Sequence, residues 1–87
     1  MGNPVVEKEH KESDVIINPP YYRASNGLEV YDVIRGFTEG LMGEQAVNQG
    51  NIIKYILRWP KKNGLEDLKK ARWYLDKMIN EIEKEEK

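Results

Sequence analysis

The stretch Asn63-Gly64-Leu65-Glu66-Asp67-Leu68-Lys69-Lys70-Ala71-Arg72-Trp73-Tyr74-Leu75-Asp76-Lys77-Met78-Ile79-Asn80-Glu81-Ile82 decides the fold. Leu68, Ala71, Leu75, Met78 and Ile82 recur in steps of three and four. That is the period of a helix burying one apolar stripe, and it predicts a seam against an antiparallel partner helix or a short coiled coil. Asn63 followed three residues on by Glu66 resembles a capping box with Asn in the Ser/Thr place, so the helix is expected to open there. Trp73 and Tyr74 are adjacent and cannot both point into one core. At least one is expected at a margin, an interface or a ligand.

Working back toward the N-terminus, Pro60 ends a second helix predicted over residues 44–59, with Ala46, Gly50, Ile53 and Leu57 on one face. Gly40 and Gly43 separate it from a helix predicted over residues 28–39, whose stripe is Val30, Val33, Ile34, Phe37 and Leu41. Ser25-Asn26-Gly27 reads as a turn and helix start. Asp14 to Tyr22 holds Pro19 and Pro20, which forbid a helix, and its Ile and Tyr residues call for an ordered, extended segment. Residues 1–13 are polar and charged and read as a disordered arm, and residues 83–87 as a charged tail that frays. The chain is therefore expected to be an all-α, three-helix domain over residues 14–82, with an extended N-terminal arm and no alternating strand pattern.

Eighty-seven residues make one domain,. A domain of this size buries only about 60–65% of the surface its unfolded chain exposes, and self-association is the usual remedy. A homo-oligomer is the expectation. There are no cysteines, and the single imidazole is His10; this excludes disulfides and argues against a structural zinc site or a Cys–His catalytic pair. Charged residues are 33% of the chain with a net charge of −1, so overall charge speaks against nucleic acid as a partner. Apolar runs are too short to span a membrane, and the N-terminus lacks the apolar centre of a signal peptide. The cytoplasm is the expected location.

Four groups of residues could carry chemistry. Asn51, Lys54 and Arg58 sit at i, i+3, i+7 on one helix face, the arrangement of a phosphate grip, with Arg as a fork and Lys as a point charge. The same spacing also fits an ordinary solvated face. Lys61-Lys62-Asn63-Gly64 precedes a helix start, which favours an anion, although Glu66 and Asp67 already complement that terminus. The aromatics Tyr21, Tyr22, Tyr55, Trp59, Trp73 and Tyr74 could stack a base or pack among themselves. Glu29 with Asp32 is an E-x-x-D pair of the kind that holds Mg²⁺ in all-α nucleotide pyrophosphohydrolases. The second such pair is missing here. No phosphate-binding glycine loop is present.

Four segments in order, Asn18-Pro19-Pro20-x-Tyr22, Gly27-Leu28-Glu29-Val30, Gly50-Asn51-x-x-Lys54-Tyr55-x-x-Arg58 and Gly64-Leu65-Glu66-Asp67-Leu68-x-Lys70-Ala71-x-Trp73-Tyr74-Leu75, resemble a family of small tailed-phage proteins of unknown function. Members are often labelled nucleotide kinase-like, after a related segment of a P-loop-less nucleotide kinase of T-odd coliphages. The resemblance spans about residues 16–80. It departs at Tyr21, where relatives usually have His, and at Trp59-Pro60, where they tend to have a small turn. It implies a phage accessory protein that binds a nucleotide or another phosphate-bearing small molecule. The candidate ligand-binding residues are Asn51, Lys54, Arg58, Tyr22, Tyr55, Lys62, Asp67 and Trp73. Catalytic residues are not indicated, and Mg²⁺ enters only if a nucleotide is turned over. The alternative is a non-enzymatic protein that binds a host protein through its helical surface.

Overall fold

A computed structural model describes residues 19–86. The predicted arm over residues 1–13 lies outside the described residues. Three α-helices carry the fold: α1, Val30–Phe37; α2, Gly43–Arg58; and α3, Leu65–Glu86. A 3-10 turn over Pro20–Tyr22 precedes α1, and a second over Trp59–Lys61 lies between α2 and α3. Among the described residues there is no strand, only an isolated antiparallel bridge between Arg23 and Glu29.

The helix boundaries follow local chemistry. The first turn corrects the expectation of a fully extended segment up to Tyr22. Pro20 opens the 3-10 turn, where its missing N–H costs nothing, and the Tyr22 N–H reaches the Pro19 carbonyl at 2.9 Å,. The Asn26 side chain accepts from the Leu28 N–H at 3.1 Å, and Gly27 takes φ +92°, a backbone state that favours glycine,. This turn delivers Glu29 as the residue before α1. At the other end of α1, the Thr38 hydroxyl donates back to the Ile34 carbonyl at 2.7 Å. α2 stops at Arg58 because Pro60 cannot supply the N–H the next turn needs,. α3 runs on through Glu86, so the Glu- and Lys-rich end continues the helix.

α2 and α3 form an antiparallel hairpin. Arg58 at the end of α2 meets Asp67 at the start of α3, and Glu44 at the start of α2 pairs with Lys77 at 3.3 Å. The last turns of α3 therefore extend past the first turn of α2. α1 docks on another side of α2 through a close approach. A Cβ placed on Gly50 would sit 3.3 Å from Ile34 Cγ2, so the glycine lets the two helices touch,. Gln49 fastens the end of α1 by donating to the Phe37 carbonyl at 2.7 Å.

The apolar core is thinner than the stripes predict. Val30 and Ala71 are the buried apolar residues among those described, at 8% and 5% exposure. Phe37 and Leu57, placed on buried stripes from sequence, are 70% and 47% exposed. α1 has only two turns, and Val30 is the buried residue it contributes. The three groups with the least exposure besides these two are polar: Asn48, Arg58 and Asp67.

Candidate functional site

The centre of the molecule is an ion pair. Arg58 donates from Nε to Asp67 Oδ2 at 3.0 Å and from Nη2 to Asp67 Oδ1 at 3.1 Å. Its Nη1 donates to the Tyr22 hydroxyl at 2.6 Å. Asn63 adds its backbone N–H to Oδ2 at 3.3 Å and its side-chain amide to Oδ1 at 3.2 Å. Asp67 is fully enclosed and Arg58 is 5% exposed. Both carboxylate oxygens are thus occupied twice, and three of the Arg58 nitrogens donate. A buried pair is tolerated only with this degree of satisfaction.

The local sequence explains the placement. Arg58 is the last residue of α2 and the turn over Trp59–Lys61 folds the chain back. Asp67 is the third residue of α3, and the helix start there leaves backbone N–H groups free to meet its carboxylate,. The acidic residue that reaches back to Asn63 is therefore Asp67 and not Glu66, which corrects the capping box expected from sequence. Glu66 points outward and pairs with Lys70 at 3.8 Å.

The pair shifts both titrations. Chiefly because Arg58 donates to it, the Asp67 carboxyl falls from 3.8 to about 2, against the opposing effect of burial,. Burial alone would lower the Arg58 pKa, and the hydrogen bonds to Asp67 and Tyr22 overcome this and raise it.

Tyrosine rings and lysines surround this centre. The Arg58 guanidinium lies 4.8 Å from the Tyr55 ring centre, 5.7 Å from Tyr22 and 5.9 Å from Tyr21. Lys54 Nζ stands 4.5 Å from the Tyr55 ring and Lys70 Nζ 5.5 Å from the same ring. Lys62 Nζ stands 4.6 Å from the Tyr21 ring. Tyr55 stacks on Tyr74 at 5.9 Å, and Tyr74 meets Trp73 edge-on at 4.9 Å. Cations over aromatic faces are favourable, and they concentrate positive charge on one side of the hairpin.

The sequence of DUF3310, a family described as proteins of unknown function, matches residues 16–76. The chain belongs to that family. Nothing among curated proteins or solved structures matches it.

In this DUF3310 protein, six of the eight candidate residues gather in one place: Tyr22, Lys54, Tyr55, Arg58, Lys62 and Asp67. Asn51 lies one turn before Lys54 on α2, half-buried. Trp73 is 59% exposed and joins the group only through Tyr74. The Trp73-Tyr74 argument holds: Trp73 sits at a margin while Tyr74 turns inward. The exposed grip drawn from the i, i+3, i+7 spacing does not hold for Arg58, because its guanidinium is buried and engaged. Glu29 and Asp32 do not face a shared ion site either. Glu29 accepts from Arg23 Nε at 2.7 Å and Asp32 pairs with Arg35 at 3.5 Å.

Sequence reasoning placed Tyr21 only in the wider aromatic set, without its approach to Arg58, and missed Asn63 as a ligand of Asp67, and Lys70. Lys70 was within reach, since it lies three residues beyond Asp67 on the same helix face. The approach of Tyr21 to Arg58 was not, because it depends on a contact between residues far apart in the chain.

Proposed function

We propose that this protein binds a nucleotide, or another phosphate-bearing small molecule, on the tyrosine- and lysine-lined side of the α2–α3 hairpin. The observation that carries the reading is the convergence of Lys54, Lys62 and Lys70 on the Tyr55 and Tyr21 rings, both of which face Arg58. Four cations there face only two carboxylates, Asp67 and Glu66. With Arg58 held by Asp67 and Lys70 by Glu66, the heads of Lys54 and Lys62 remain as point charges for phosphate oxygens, and tyrosine rings offer stacking faces for a base,.

In this reading the roles divide. Lys54 and Lys62 bind the phosphate, and Tyr55 or Tyr21 meets the base. Arg58 and Asp67 form the frame that fixes the rings, and Asn51 lines the approach to Lys54. The resemblance to tailed-phage proteins labelled nucleotide kinase-like supports the same ligand class, and with it a phage accessory role in the host cytoplasm. Turnover would need Mg²⁺ and an aligned acceptor. With both Asp67 oxygens occupied by Arg58 and Asn63, any such ion would be carried by the nucleotide phosphates. Sequestration of the nucleotide is therefore the simpler activity for this chain.

Calorimetric titration of the full chain with mono-, di- and triphosphate nucleotides and with inorganic phosphate tests the proposal. Lys54→Ala and Lys62→Ala should each weaken binding about tenfold, with melting temperature unchanged. No heat with any of these ligands would end the nucleotide reading. A second reading, docking to a host protein, draws on Phe37 at 70%, Met42 at 83% and Trp73 at 59% exposure. It gains if titration is silent.

A further inference from the structure

The α2–α3 hairpin has a second side, turned away from the cluster of Lys54, Lys62 and Lys70 and from α1, and it is mostly apolar. On α3 the positions Leu65, Leu68, Arg72, Leu75, Ile79, Ile82 and Glu86 follow each other in alternating steps of three and four. This is a heptad seam sustained along the whole helix of roughly 33 Å, distinct from the seam of Ala71 and Met78 that faces α2. Leu65, Leu75, Ile79 and Ile82 are 65%, 45%, 44% and 38% exposed, and Leu68 is half-buried. On α2, Ile56 is 45% exposed and Ile52 is half-buried. Ile56 is turned about 120° around the helix from Gly50, where α1 docks. In an antiparallel hairpin that turn puts Ile52 and Ile56 on the same side as the Leu68–Leu75–Ile79 seam.

We infer that this side binds a second copy of the same chain, with the two α3 helices antiparallel, to give a four-helix bundle. Charge selects the occupant and its direction. The first half of α3 carries Lys69 beside the seam and Arg72 within it, and the last turns carry Glu83 beside it and Glu86 within it. All four are exposed, and none is held in an ion pair among the described residues, whereas Lys70, Lys77 and Lys84 are. With the two-fold axis between Leu75 and Ile79, Lys69 and Arg72 of one copy lie beside Glu83 and Glu86 of the other, twice over. A parallel pair would set like charges against each other. The size also fits. A seam of this length flanked by α2 side chains suits the about 800 Å² per partner of a standard interface. Among the described residues the buried apolar core, Val30 and Ala71, is small for a domain that stands alone,.

Sedimentation equilibrium of the full chain at micromolar concentration should give twice the 10.2 kDa chain mass. Ile79→Glu should weaken association by at least about 100-fold, with far-UV circular dichroism reporting whether helix is kept. Two surface variants keep the test decisive should Ile79→Glu fail to fold. Lys69→Glu/Arg72→Glu and Glu83→Lys/Glu86→Lys should each associate more weakly than the parent, and an equimolar mixture should recover the dimer. A monomer at these concentrations overturns the proposal, including the case in which another segment of the chain covers the face. So does a dimer whose affinity neither Ile79→Glu nor the charge reversals change.

Discussion

Arg58 and Asp67 form a two-pronged ion pair, Nε to Oδ2 at 3.0 Å and Nη2 to Oδ1 at 3.1 Å, that closes the turn between α2 and α3. Both partners are enclosed, so each depends on the other. The pair also fixes where Tyr22 and Tyr55 stand, and through them where the lysines converge. Its removal should therefore act on the fold before it acts on any ligand.

Arg58→Ala leaves the Asp67 carboxylate buried with only Asn63 as donor. The expected cost is about 3–5 kcal/mol of folding stability, enough to remove most of the cooperative transition of so small a domain. Asp67→Ala should cost as much, because it strands the guanidinium. The double replacement Arg58→Met/Asp67→Leu should lose much less than the sum of the single changes, since it leaves no uncompensated charge. Thermal melts of the three variants check this, and additive losses would contradict it.

Tyr22→Phe removes only the hydroxyl that accepts from Arg58 Nη1 at 2.6 Å. The ring remains over the guanidinium. A loss of about 1–2 kcal/mol in urea unfolding is expected, from one buried donor left without its acceptor. An unchanged midpoint would mean that water replaces the hydroxyl without cost.

The depressed Asp67 carboxyl makes stability fall in acid. Its folded pKa of about 2 lies below the unfolded value of 3.8. The charged form is therefore favoured by folding, and its contribution is complete above the unfolded value. It is lost as pH falls from about 4 through about 2, and amounts to roughly 2 kcal/mol. Denaturant midpoints across that range should show the drop, and Asp67→Asn should flatten this part of the curve.

Gly50 is the contact between α1 and α2, with Ile34 Cγ2 3.3 Å from where a Cβ would stand. Gly50→Ala should be close to neutral, because the gain of about 1 kcal/mol in helix propensity offsets a slight shift of Ile34. Gly50→Leu should cost about 1–3 kcal/mol by forcing α1 away. Near-UV circular dichroism and melting curves of both variants separate the outcomes.

The sequence alone determined the three helices and their order. Periodicity of three and four, Pro60 as a stop and glycines between segments are local signals, and each acts over a few residues. It also singled out Tyr22, Lys54, Tyr55, Arg58, Lys62 and Asp67, which the fold brings together. What tertiary structure decided is what those residues do. Spacing places Arg58 on a face with Lys54, but it cannot tell whether that face meets water or another helix. The fold back at Trp59–Lys61 brings Asp67 under Arg58, and the 3-10 turn at Pro20–Tyr22 brings a hydroxyl to its third nitrogen. Burial is a property of distant segments meeting, so a charge that reads as a ligand grip in one helix becomes the internal brace of three elements. Lys54, for which no carboxylate partner stands among the described residues, keeps its head over the Tyr55 ring for the same geometric reason.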